Sequence, residues 1–71
     1  MNAQDWIAAF AQMLGTDPPT PREFATLLDL AGEAAHASER VAAPVACWVA
    51  AQAGVSPHRA LEVAREVSAS G

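Results

Sequence analysis

Where proline falls decides most of what this chain can become. The five prolines stand at 18, 19, 21, 44 and 57, and proline in a helix interior removes a hydrogen bond and clashes with the preceding turn. Four stretches remain open to helices. Thr20-Pro21-Arg22-Glu23 marks the clearest start: Thr20 at the N-cap, Pro21 where a missing N–H costs nothing, and Glu23 closing a capping box. Ser56-Pro57 offers the same cap and proline. Asn2 is an N-cap for an earlier helix, with Asp5 in its first turn. Gly15 and Gly54 stand where helices end.

Apolar periodicity fills these stretches. The spacing predicts helices over about 3–14, 21–37, 44–53 and 57–68. Trp6, Ile7, Phe10, Met13 and Leu14 share one face of the first, with Trp6 expected in the core. Phe24, Leu27, Leu28, Ala31, Ala34 and Ala35 form the stripe of the second. Ala43 precedes Pro44 and is pushed away from the α region, so the chain is expected to break between Ser38 and Ala43. The third helix carries no Asp, Glu, Lys or Arg. Val45, Trp48 and Val49 lie on one side, and alanines with Cys47 on the other. A helix apolar all round is buried all round, so it is either the central helix of the bundle or one whose alanine side meets another chain. Trp48 is then core filler or an interface anchor. Ala60, Leu61, Val63, Ala64 and Val67 line one arc of the fourth helix, and the tail Ser68-Ala69-Ser70-Gly71 is expected to fray. No strand pattern or repeat appears. The fold expected is all-α, a compact four-helix domain with short loops spanning residues 1–71.

Seventy-one residues bury a modest core. Cys47 is the only cysteine, so neither an intramolecular disulfide nor a cysteine zinc site is available, and the remaining staple is self-association or a partner. The formal charge is −4, with no lysine and four scattered arginines against eight acids; nucleic-acid binders need a basic stripe, so DNA and RNA are not expected as partners. No run reaches the length of about eighteen apolar residues that a membrane span needs. The start MNAQDWIAAF lacks the basic region of a signal peptide. A cytoplasmic chain with a reduced thiol is expected.

One polar constellation invites a chemical reading. On an ideal helix, with Asp29 at zero, Glu33 falls near about 40°, His36 near about −20° and Arg40 near about 20°. The apolar stripe of that helix centres near about 200°. The four polar residues therefore form either a solvated face opposite the core or a site. Asp29 and Glu33, like charges at i,i+4, would welcome a cation. Glu33-Ala34-Ala35-His36 has the Glu-x-x-His spacing of di-iron bundles, but those need two such motifs and two further glutamates, so no metal site is assigned. At a helix C-terminus, His36 could also cap carbonyls. Cys47 has no basic neighbour in sequence to activate it and reads as a buried, inert thiol. No serine elbow, histidine triad or phosphate loop is present; no catalytic residue and no cofactor are assigned.

The stretches DWIAAFAQMLG (5–15) and LLDLAGEAAHASERVAAPVACWVAAQAG (27–54) resemble a small helical domain of unassigned function from actinomycete-type bacteria. That domain occurs alone or appended to the nucleotidyltransferase that attaches GMP to molybdopterin. The resemblance covers roughly residues 3–67. It rests on Trp6, Leu27 to Ala31, Ala35-His36, Arg40 and Ala42-Ala43-Pro44. Val41 departs from it, because the pattern has proline after the arginine. The resemblance implies a context in molybdenum cofactor biosynthesis and supplies no catalytic residue.

Three readings follow. The leading one is a non-enzymatic accessory or interaction module that docks on a molybdopterin nucleotidyltransferase or a molybdoenzyme maturation factor. Its contact candidates are Asp29, Glu33, His36, Arg40 and Trp48. The second is a small-ligand or nucleotide-cofactor binding protein, in which His36 and Arg40 grip an anionic group despite the nearby acids. The third is a structural homo-oligomer, a possible homodimer, formed through the alanine face of the third helix.

Overall fold

The local signals act as the sequence dictates. In the computed structural model, which describes residues 1–71, four helices follow in order: α1 (Ala3–Leu14), α2 (Pro21–Ala37), α3 (Ala42–Ala53) and α4 (Pro57–Ser70). Asn2 caps α1 by accepting from the Asp5 N–H at 2.8 Å. Thr20 and Glu23 close the reciprocal capping box on α2, at 3.1 and 2.8 Å, and Ser56 accepts from the Arg59 N–H at the start of α4. Gly15 and Gly54 end α1 and α3 at φ 77° and 73°, left-handed values at which a Cβ is strained.

Two boundaries differ from expectation. α3 begins at Ala42 rather than Pro44, so Ala43 is helical after all. Pro44 falls in the first turn, where its missing N–H would have had no intrahelical partner. Two overlapping turns lead in, Ala42 N–H to the Glu39 carbonyl and Ala43 N–H to the Arg40 carbonyl. At the other end of the chain the tail does not fray: α4 runs to Ser70. The Ser70 hydroxyl donates back to the Glu66 carbonyl, and the Gly71 N–H donates to the Val67 carbonyl.

Packing centres on α2. Both α3 and α4 lie along it, while α3 and α4 scarcely touch each other and α1 contacts the other helices little. Leu30, Ala60 and Leu61 form the buried core, with Leu27, Cys47, Ala50 and Ala64 packed around them; Ala11 is the one other buried residue. α2 is therefore the central helix, and the expectation that α3 is buried on every side is overturned: α3 holds no buried residue. Trp6 is likewise not in the core but 54% exposed on α1. The Cα radius of gyration is 12.6 Å, against about 11 Å for a compact domain of this length.

Candidate interaction surface

α3 is apolar on both faces but not with equal bulk. Ala42, Ala43, Ala46, Cys47 and Ala50 turn inward and are half-buried. Val41, Val45, Trp48 and Val49 turn outward, at the 4-3-1 spacing that keeps side chains on one helical face. The helix thus packs its small residues and shows its large ones, the reverse of what burial of apolar area favours in an isolated domain. This settles the position of Trp48, which is 64% exposed and no part of the core. Of the smaller residues, Cys47 and Ala50 pack against the core, while Ala42, Ala46, Ala50 and Ala53 line the open groove described next.

Because α3 and α4 diverge over α2, an open groove of about 950 Å³ lies between them. Leu30 and Ala34 of α2 form its floor, Val45 and Val49 of α3 one wall, and Val63 and Val67 of α4 the other. Glu33 stands at the groove's edge and accepts a hydrogen bond from the Ser68 hydroxyl at 2.9 Å. It is the only Asp, Glu, Lys or Arg among the lining residues. A second, smaller cleft of about 440 Å³ separates α1 from the start of α2. On α1 the rings of Trp6 and Phe10 stack at 5.0 Å, and both remain about half exposed.

The polar residues singled out in the sequence do not converge. Asp29 is exposed. Glu33 is half-buried and tied to α4, so it does not belong to a uniformly solvated face. His36 is exposed in the last turn of α2. Arg40 lies beyond the end of that helix, so its place on the helical stripe, computed for an unbroken helix, does not hold. The corner between α2 and α3 is held by the Arg40 backbone carbonyl and by the Ser38 hydroxyl, which donates to the Ala34 carbonyl at 2.7 Å. The side chains of His36 and Arg40 do not fix it. No three Asp, Glu, His or Cys side chains cluster as metal ligands would. Cys47 is half-buried between α3 and the core, and desolvation there pushes its thiol pKa up, the direction of an inert thiol.

Missing from the sequence reading was the groove. Its α4 wall was legible as an apolar arc, but periodicity alone assigns such an arc to the core. One signal was available: Val45, Trp48 and Val49, with Val41 just before the helix, gather the large side chains of α3 on one side and leave a smaller surface for packing.

Residues 1–70 match the family model described as a domain of unknown function, DUF6457. No curated protein and no solved structure matches the chain. The family match carries no link to a nucleotidyltransferase, and no helix is long and apolar enough to cross a membrane.

Proposed function

The chain belongs to the DUF6457 family, and we propose that it is a non-enzymatic helical interaction module. The observation that carries this reading is the outward placement of large apolar side chains, Trp6, Phe10 and Leu14 on α1 and Val45, Trp48 and Val49 on α3, around a core of four buried residues. Clusters of exposed large apolar side chains mark binding sites on folded proteins, and tryptophan is enriched among the residues that carry interface energy. The module's partner is a molybdopterin nucleotidyltransferase or a maturation factor of molybdoenzymes, a choice supported by the sequence resemblance through Trp6, Leu27 to Ala31, His36, Arg40 and Pro44. Of the two apolar faces, α1 is the one offered to that partner, because its stacked Trp6–Phe10 pair engages little of the chain's own core.

Calorimetric titration of the purified chain into the nucleotidyltransferase encoded in the same genome tests this directly. Saturable binding that Phe10→Asp weakens at least tenfold, about 1.4 kcal/mol, supports the reading. Absence of binding, together with unchanged molybdoenzyme activity in a deletion strain, removes it. Nucleotide binding by His36 and Arg40 is the competing reading. It is favoured only if GTP or GMP raises the melting temperature of the wild type and not that of His36→Ala and Arg40→Ala.

A further inference from the structure

We propose that the α3 stripe and the groove beside it are occupied by a second copy of this chain, as a two-fold dimer in which α3 of each copy lies in the α3–α4 groove of the other. The inference rests on the interaction-module reading and names the occupant of one of its faces.

Area is the first argument. The chain exposes 5424 Å², whereas the size scaling of folded monomers gives about 4,200 Å² at its mass of 7.4 kDa. The excess is about 1,200 Å² per chain. That excess is shared by the α1 face and the α3–α4 face, and half of it hidden by each of two chains still buries about 1,200 Å², the lower end of specific, stable interfaces. The surplus is therefore large enough for a dimer contact on the α3–α4 face in addition to the exposed α1 face.

Charge is the second. Each chain carries −4, so two copies brought together at random oppose like charges. From Val41 to Pro57 there is no Asp, Glu, Lys or Arg, and Glu33 at the groove's edge is engaged by Ser68. This is the surface on which two acidic chains meet with least repulsion. Glu33 is its one carboxylate, and that side chain is already hydrogen-bonded to Ser68, so the surface offers little charge with which to recruit a basic partner.

Shape is the third. An isologous contact needs a self-complementary patch. Here a convex ridge, with Trp48 at its centre, adjoins a concave groove, and Val45 and Val49 belong to both. A helix set into the groove completes a four-helix layer from α3 and α4 of the two copies. α1 of the same chain does not fill that place, since none of its residues lines the groove and it borders the cleft at the start of α2 instead.

Sedimentation equilibrium of the full chain over a concentration series is the test. The wild type is expected to be dimeric at about 100 µM. Trp48→Glu on the ridge and Val67→Glu on the α4 wall of the groove are each expected to weaken the dimer about thirtyfold or more, as centrally placed interface residues do. Met13→Glu, on a residue 90% exposed on α1, leaves it unchanged. Both positions are more than half exposed in the single chain, so circular dichroism is expected to show each variant helical. A second readout leaves the interface intact: in a Trp6→Phe background, Trp48 emission moves to longer wavelength on dilution. A strict monomer at high concentration overturns the proposal while leaving the separate partner on α1 standing. So does a dimer that Met13→Glu disrupts and the Trp48→Glu and Val67→Glu variants do not, or one whose dissociation leaves Trp48 emission unchanged.

Discussion

At the scale of single residues, the chain keeps one costly choice with no visible return inside the fold. Gly32 sits in the middle of α2, and a Cβ built on it meets nothing within 4 Å. Glycine in a helix interior is disfavoured relative to alanine through the entropy of the unfolded chain. Gly32→Ala is therefore expected to stabilise the protein by about 0.5–1 kcal/mol, seen as a melting temperature several degrees higher; an unchanged or lower value contradicts it. Cys47 gives a pH dependence of definite sign. Its folded thiol titrates above the ordinary range because burial disfavours the thiolate. Below the ordinary thiol pKa both states are neutral and nothing is lost. As pH rises from there through the raised folded value, the unfolded chain ionises first and stability falls. Urea midpoints at about pH 8 and about pH 10.5 are expected to differ less in Cys47→Ala than in the wild type. The caps at Asn2, Thr20 and Ser56 were legible because each is a local contract among four residues. Arg40 was not: its angular place depended on α2 continuing, and α2 ends at Ala37.

At the scale of elements, the sequence defines helices well and their neighbours poorly. The bounds of α1 and the start of α2 follow from cap and glycine signals, and α3 begins two residues early because a proline in the first turn is cheap. Which face of a helix goes inward is a tertiary matter. In α4 the arc containing Ala60, Leu61, Val63 and Val67 divides, the first two against α2 and the valines along the groove. In α3 the small residues won the inner place, since alanine and Cys47 let it approach α2 closely while Trp48 does not. α1 is the extreme case, an amphipathic helix with a stacked aromatic pair and little contact with its neighbours. Local opening free energy follows buried contact. In dilute solution, below the concentration at which partners bind, α1 amides are expected to exchange with deuterium at least about tenfold faster than those around Leu30 in α2. Equal protection of the two helices would show that α1 opens only with the whole domain.

At the scale of the whole molecule, two features of the composition oppose each other. Slightly more than half of the residues are hydrophobic and the net charge is −4, so apolar area drives copies together while charge holds them apart. The placement of charge resolves the conflict locally, since the acids lie outside the segment Val41 to Val55. It does not remove the long-range term, because a dimer doubles the charge within roughly the same radius. At an ionic strength of about 0.01 M the screening length is about 30 Å, comparable to the 38 Å length of the chain. At about 0.15 M it falls to about 8 Å and most of that repulsion is gone. Self-association through a neutral apolar face is thus expected to strengthen severalfold between those two salt concentrations. It strengthens further in sulfate, which favours burial of apolar surface. An interface built on ion pairs responds to sodium chloride in the opposite direction, so sedimentation at the two ionic strengths separates the two designs. A dimer that weakens with added sodium chloride places the contact among the arginines and acids of α2 and α4 and away from the valine and tryptophan ridge.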